Sequence, residues 1–534
     1  MRVCFRLVSA LVTPTLPAAV IGALFAAPFV YLVIRNVQAV DTFAATWATG
    51  RTLEPLARTL ALGVAVSGAA ATLGTGAAWL ATRTDTPWRR VWLIVLPLPL
   101  VIPSFIGAFA LLAAFAPGGL AARALDPLGI APPPVQGFAA AFTVLTLLTY
   151  PLVFLPVAAR ISHLPASLEE SARLLGHGPL RSFFSVVMPQ AAGAVLAGSL
   201  LVFLYTISDF GAVQLLRFDA LTRSIFSSRL LNPELALALS LQLGIVALAI
   251  VIAERALTRS QRRIDVRREI RALQVPLRRW RLPATVALGA LVTAALLAPV
   301  GVLIYWAVRG LIRGSTRASA LVTDVGSMAE PTLNTAAVSA VAGVAAVVVV
   351  LPVAYATVRG RRRAAEAAGA LVTSGFALPG LVISLSLVFW ALGAPGFIGV
   401  IYQTTPLLII AYVLNFGALA MQPSQVAVAG TPRTLTDVAR TLGLGRVRRF
   451  LRVELPLMLP GLLAAAGLVL LSTMKELPAT LLLAPPGFQT LATKVWNATE
   501  DAFLADASLA SLVLVAVSAV LTYVLILRRA TAIR

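Results

Sequence analysis

The sequence predicts an all-α integral membrane protein with about twelve transmembrane helices in two parallel six-helix halves. Three observations predict it. Of 534 residues, 59% are hydrophobic and 12% charged, with a mean hydropathy of +0.91, whereas an ordinary soluble domain carries roughly 25% charged residues. Apolar runs long enough to cross a bilayer recur along the whole chain. The second half also repeats the first. Composition alone excludes a soluble globular protein, since so much apolar surface cannot be hidden from water, and it excludes disorder.

A bilayer core of about 30 Å requires about 20 mostly apolar residues per helix. Apolar runs bounded by charges and turn residues fall at about 12–34, 59–82, 91–116, 138–159, 191–215 and 235–253. Six more fall at about 283–308, 332–358, 367–392, 405–428, 457–483 and 507–527. Ala367 to Pro432 carries no charge, and Gly393, Pro395, Gly396, Gly399 and Pro406 divide it with a turn. The first run follows Arg2 and Arg6 and exceeds a typical signal-peptide core, so it is read as a retained helix. Pro97, Pro99, Pro103, Pro352 and Pro379 fall within spans, which is tolerable where neighbouring helices or a cavity satisfy the freed backbone.

Charge distribution gives the orientation. Lys and Arg total 43 and Asp and Glu 21, a formal net charge of +22. Counting alternate loops, 31 of the 43 basic residues share one side, with 11 on the other and Lys475 inside a span. The positive-inside rule makes the richer side cytoplasmic and places both termini there. The linker at 255–281 holds ten Arg, which suits anionic lipid headgroups, and no nucleic-acid role is assigned to it.

Rare residues exclude other chemistries. Cys4 is the one cysteine, so no intrachain disulfide forms. Two histidines, His163 and His177, cannot build a Cys/His metal site. Neither lysine, Lys475 nor Lys494, follows a glycine, so the chain has no Gly-Lys-Ser/Thr phosphate loop. Any nucleotide that drives it binds to another chain, and this chain itself is expected to hold no cofactor. A membrane enzyme would need a nucleophile–base pair or a metal cluster, and this inventory supplies little for either.

Pro165–Pro189 and Pro432–Pro456 align without gaps at an offset of 267, identical at 11 of 25 positions. Upstream the offset is 276, pairing Thr59 with Thr335, Arg83 with Arg359 and Pro103 with Pro379. Six spans per half is an even number, so both halves enter from one side and run parallel. The best-matched segment is a polar loop after the fourth span of each half, which points to binding. Leu168, Ala172 and Leu175, like Leu435, Ala439 and Leu442, share a helix face. Glu170 or Asp437 suits the helix start, Gly176 or Gly443 its C-cap, and Pro189 or Pro456 then opens the next span. The expected product is a compact cytoplasmic knob.

This loop resembles the signature of binding-protein-dependent ABC importer permeases: Glu-Ala-Ala, three residues, Gly, nine residues, Ile-x-Leu-Pro. The first copy reads Glu170-Ser171-Ala172, Gly176, Val186-Val187-Met188-Pro189. The second reads Asp437-Val438-Ala439, Gly443, Val453-Glu454-Leu455-Pro456. Ser171 and Val438 replace the first Ala and Asp437 replaces Glu, while the spacing is intact. The resemblance implies the type I ABC importer permease fold. It also implies two coupling helices seated on a cytoplasmic ABC ATPase dimer, and a substrate-binding protein docked outside. The loop residues carried over are Glu170, Ala172, Arg173, Gly176 and Pro189, with Asp437, Ala439, Arg440, Gly443 and Pro456.

Residues 1–56 would supply the first helix and outer loop, 57–254 the first permease domain and 255–282 the linker. Residues 283–331 would supply the second half's first helix and outer loop, and 332–530 the second permease domain. Residues 205–212, 475–483 and 485–496 resemble ferric-iron permeases, although thiamine, phosphonate and polyamine permeases share the plan. The implied function is alternating-access import in a bacterial inner membrane, with ATP hydrolysed by the partner. Ion-coupled secondary transporters also have twelve spans, but their Gly-x-x-x-Asp-Arg-x-Gly-Arg-like motif is missing from 83–90 and 359–363.

Asp209 and Glu476 are equivalent at the same offset of 267 and lie inside spans, where ionisable groups are costly. They either line the translocation route or its outer gate, or form a polar lock between helices with Lys475 as the partner. Acidic residues of the outer loops are scattered without metal-ligand spacing, so no resident metal site is expected.

Overall fold

The computed structural model describes residues 15–39, 49–259, 274–313, 325–360, 363–375 and 377–522. Residues 1–14 and much of the Arg-rich linker lie outside it. Among the described residues the chain is helical, with one isolated extended bridge between Thr84 and Val275. The first half comprises α1 (Thr15–Gln38), α2 (Gly50–Arg83), α3 (Arg89–Val95), α4 (Ser104–Phe115), α5 (Leu120–Leu125) and α6 (Gly137–Thr149). It continues with α7 (Pro151–Ser162), α8 (Ala166–Leu174), α9 (Met188–Ser208), α10 (Gly211–Leu215), α11 (Leu221–Ser228) and α12 (Pro233–Arg259). The second comprises α13 (Arg281–Val292), α14 (Ala298–Arg313), α15 (Ala329–Arg359), α16 (Arg363–Gly375), α17 (Gly380–Gly393) and α18 (Thr405–Ala429). After these come α19 (Arg433–Thr441), α20 (Leu455–Thr473), α21 (Pro478–Leu483), α22 (Leu491–Glu500) and α23 (Leu504–Thr522).

Eleven helical segments are long and apolar enough to cross a membrane among the described residues. The bent pair α16 and α17, counted as one broken span, brings the number to twelve. Many of their apolar side chains face outward: Val341, Val344 and Val348 form an exposed row on α15, as a lipid-facing surface requires. Within each half the second, fourth and fifth spans pack together, α2 with α7 and α9, and α15 with α18 and α20. Small residues permit the close approach. A Cβ at Gly74 would lie 2.8 Å from the Tyr150 carbonyl, and one at Gly198 would lie 2.8 Å from the Val153 Cα. The first helices cross between halves: α1 packs on α15, α16 and α17, while α14 packs on α4 as well as α23.

Four predicted spans are broken rather than continuous. The run 91–116 becomes α3, a 3-10 turn at Leu98–Val101 and α4, and the run 367–392 bends by 102° between α16 and α17. The run 191–215 stops at Ser208 and restarts at Gly211, and 457–483 breaks between Thr473 and Pro478. Hydropathy reports polarity and does not see these stops. Proline supplies the cause for the first two, since Pro97, Pro99, Pro103 and Pro379 each lack a backbone donor. Tyr150, fully buried, donates to the Leu96 carbonyl at 2.8 Å and satisfies one of the freed groups.

The fifth spans also start earlier than expected. Phe183–Val187 and Phe450–Glu454 form π turns that join Pro179–Ser182 to α9 and Arg446–Arg449 to α20. Pro189 and Pro456 therefore lie inside a continuing helix, and the wider turn before each relieves the clash of the ring with the preceding carbonyls.

Candidate functional site

Two sets of features stand out, one on the side where α8 and α19 project, here the knob face, and one midway to the far face. On the knob face α8 and α19 end alike. Gly176 and Gly443 are left-handed, with φ of +82° and +77°. The His177 N–H donates to the Ala172 carbonyl at 3.1 Å and the Gly176 N–H to the Arg173 carbonyl at 2.9 Å. Leu444 and Gly443 repeat both bonds onto Ala439 and Arg440, each at 3.1 Å. This paired closure is a Schellman motif, which favours glycine at that position.

The expected apolar face is only partly used by the chain itself. Ala172 and Ala439 are buried against it, while Leu175 and Leu442 are 80% and 75% exposed and Leu168 and Leu435 also face solvent. Glu170, Asp437 and Arg440 are exposed as well, and Arg173 is half-buried. Pro189 and Pro456, in the following helices, are exposed. The buried acid is the neighbouring Glu169, which sequence reasoning passed over. It lies three residues before Ala172, hence on the same inward face, and it pairs with fully buried Arg83 at 3.5 Å.

The four broken spans meet between the halves around a cavity of about 390 Å3, lined by residues at every break. Leu100, Pro103 and Ser104 come from the first break, Asp209 to Gly211 from the next, and Leu378 to Gly380 and Lys475 to Pro478 from the other half. Each carboxylate caps the short helix beyond its own break. Asp209 Oδ1 accepts from the Ala212 and Val213 N–H groups at 2.9 and 3.4 Å, and Glu476 Oε1 accepts from the Ala479 N–H at 3.2 Å. The polar lock with Lys475 is not formed. Lys475 Nζ donates to the Leu100 carbonyl at 3.0 Å, and among the described residues no ion pair involves Asp209, Lys475 or Glu476. Each carboxylate thus keeps one oxygen free of its cap.

Ser104, Tyr205, Ser208, Asn415 and Ser472 add hydroxyls and an amide to the lining. Tyr205 and Ser208 fall in the segment 205–212 marked from sequence, while Ser104, Asn415 and Ser472 were not singled out, although the Pro103/Pro379 identity marks the break beside Ser104. Towards the far face the cavity ends on Phe210, 2% exposed. Its ring lies 4.6 Å from that of Phe226 on α11 and 5.5 Å from that of Trp496 on α22 in the other half. Among the described residues no group of three or more His, Cys, Asp or Glu is placed to hold a metal ion. Asp41 and Asp324 lie outside them.

Comparison with known proteins places these features in context. The family described as binding-protein-dependent transport system inner membrane component matches twice, at residues 70–266 and 347–532. The chain is 30% identical to the Fe(3+)-transport system permease protein FbpB 2 of Haemophilus influenzae, over 96% of this chain and 97% of that protein. It is 33% identical to the molybdenum transport system permease protein ModB of Mycobacterium tuberculosis, over 30% of this chain and 62% of that protein. It is 30% identical to the putative 2-aminoethylphosphonate transport system permease protein PhnV of Salmonella typhimurium, over 22% of this chain and 43% of that protein.

Proposed function

Because this chain belongs to the family of binding-protein-dependent transport system inner membrane components, we propose that it is the permease of an ATP-driven importer whose cargo is ferric iron. A substrate-binding protein delivers the ion at the far face. A separate ATPase dimer grips the two knobs at the cytoplasmic face, and both termini lie on that side. ATP-driven closure of the dimer moves α8 and α19 together and opens the cavity outward, and hydrolysis resets it.

The observation that carries the iron reading is the cavity's donor set. Two carboxylates, a phenol and three serine hydroxyls line it together, and hard oxygen groups suit a hard cation. The ferric permease relative, matched over nearly all of both chains, supports the same cargo. The ATPase reading rests on the knobs. Leu175 and Leu442 stay exposed at the closed C-terminus of each knob helix, and exposed apolar groups of this kind suit a protein partner. The knob pattern also differs from the secondary-transporter plan.

The test is uptake by proteoliposomes that hold the chain with its ATPase and binding protein. ATP-dependent accumulation of radioactive ferric iron is expected, with Asp209→Asn and Glu476→Gln each lowering it at unchanged protein abundance. Uptake of molybdate instead, sustained in both variants and lost on Lys475→Met, would overturn the iron reading in favour of an oxyanion held by the lysine.

A further inference from the structure

Two identities of the repeat, Arg83 with Arg359 and Thr59 with Thr335, belong neither to the knobs nor to the cavity. They occupy opposite ends of α2 and of α15. At the knob end Arg83 Nε and Nη2 donate to the Ile161 carbonyl at 3.0 and 2.6 Å, and Nη2 also donates to the Leu164 carbonyl at 2.8 Å. Arg359 Nη2 donates to the Val428 and Thr431 carbonyls at 3.1 and 2.6 Å, the same two positions of the second half. These carbonyls end the fourth span, immediately before each knob helix. Each guanidinium therefore sits between two helix C-termini, where unpaired carbonyls gather and a cation is favoured.

One turn earlier, on the same helix face, a further tie reaches the other side of the knob. Trp79 packs on Phe183 at 5.1 Å. Tyr355 donates to Glu454 Oε2 at 3.0 Å, and Glu454 Oε1 accepts from Arg449 Nε at 3.1 Å.

At the far end Thr59 Oγ1 accepts from the Leu221 N–H at 2.8 Å, and Thr335 Oγ1 accepts from the Leu491 N–H at 2.8 Å. These are the first residues of α11 and α22, which carry Phe226 and Trp496 against Phe210 at the far end of the cavity. From Thr59 to Arg83 the helix is unbroken, a length of about 36 Å at 1.5 Å per residue.

We propose that α2 and α15 are transmission rods. Arg83 and Arg359 fasten them to the knobs and Thr59 and Thr335 to α11 and α22, so that knob displacement parts the aromatic closure of Phe210, Phe226 and Trp496. All four are positioning residues. The proposal rests on the reading of the knobs as ATPase contacts.

The test measures ferric uptake per ATP hydrolysed in the reconstituted complex, together with retention of the ATPase on the purified chain. Arg83→Met and Arg359→Met are expected to keep the ATPase and its hydrolysis while uptake per ATP falls about tenfold, the scale of an ordinary coupling between sites. Thr59→Val and Thr335→Val, about 36 Å along the helix from Arg83 and Arg359, are expected to lower the same ratio. Arg83→Met combined with Thr59→Val should be no worse than Arg83→Met alone, because the two fasten one rod in series.

An unchanged ratio in the Thr59→Val, Thr335→Val double variant overturns the rods, and so does a multiplicative effect within one half. Should the Arg variants lose the ATPase, the Thr variants decide the matter alone. If the unaltered chain fails to retain the ATPase, the reading of the knobs falls first, and with it the rods.

Discussion

Replacing Gly176 by alanine isolates the backbone of one knob. At φ of +82° an L-residue is strained, at a cost of about 1–2 kcal/mol. A Cβ there would meet nothing within 4 Å, so no steric contribution within this chain is added. The knob then spends more time out of its Schellman closure by a factor of about 5–30. Where docking requires the closed form, ATPase affinity falls by up to that factor, the full loss being reached once the open form dominates. Gly443→Ala, at φ of +77° and equally open, should act alike, and the two penalties should multiply because the sites are distant.

The assay is a binding titration of the ATPase against the chain in nanodiscs. Two controls lie nearby. Gly178 and Gly445 also face open space but are not left-handed, so Gly178→Ala should bind normally. Gly176→Asn should bind better than Gly176→Ala despite its greater size, since asparagine tolerates the left-handed region. If Gly178→Ala is as harmful as Gly176→Ala, or Asn is worse than Ala, the backbone argument is wrong and the loop is sensed by shape.

Two further outcomes test fold and orientation. Gly74→Ala should lower Tm, because its Cβ would press on the Tyr150 carbonyl and the Val153 side chain, each at 2.8 Å, at a cost of about 1–3 kcal/mol. Gly76→Ala, two residues on in α2 with nothing within 4 Å, should raise Tm through helix propensity by up to about 1 kcal/mol, so thermal unfolding of the pair reads opposite signs. Cys4 is the one cysteine, and a membrane-impermeant maleimide should label it in inside-out vesicles and not in intact cells; labelling in intact cells would reverse the assigned orientation.

The span plan and the knobs were legible in the sequence because each rests on a short-range pattern. A hydrophobic run reports a helix in lipid, and a glycine after an amphipathic turn reports a C-cap. The cavity was less legible. Asp209 and Glu476 were flagged by the cost of charge in a span, but their nearest natural partner in sequence, Lys475, turned away to the Leu100 carbonyl. A carbonyl freed by a 3-10 turn between prolines is invisible to a residue-type count, yet it is a strong acceptor where water is scarce. Glu169 was missed because adjacent acids look alike until the buried face of α8 is fixed by Ala172. The Thr59/Thr335 and Arg83/Arg359 identities were visible, but their partners lie at backbone atoms, which carry no residue signature.

The repeat also separates what the two halves share from what distinguishes them around the cavity. Some positions match between halves: Thr59 and Thr335 and Arg83 and Arg359 outside the lining, and Pro103 and Pro379 and a capping carboxylate at Asp209 and Glu476 within it. The lining differs at the equivalent positions. Ser104 corresponds to Gly380, Tyr205 to Ser472, Ser208 to Lys475 and Leu148 to Asn415. At Gly380 a Cβ would lie 2.6 Å from the Asn415 amide nitrogen and 2.9 Å from Glu476 Oε1, so the missing side chain makes room for both. The first half therefore lines the cavity with Ser104, Tyr205, Ser208 and the Asp209 carboxylate, and the second with Asn415, Ser472, Lys475 and the Glu476 carboxylate. Two identical halves would present one chemistry twice. Fusion into a single chain fixes the unlike pair of walls in one molecule.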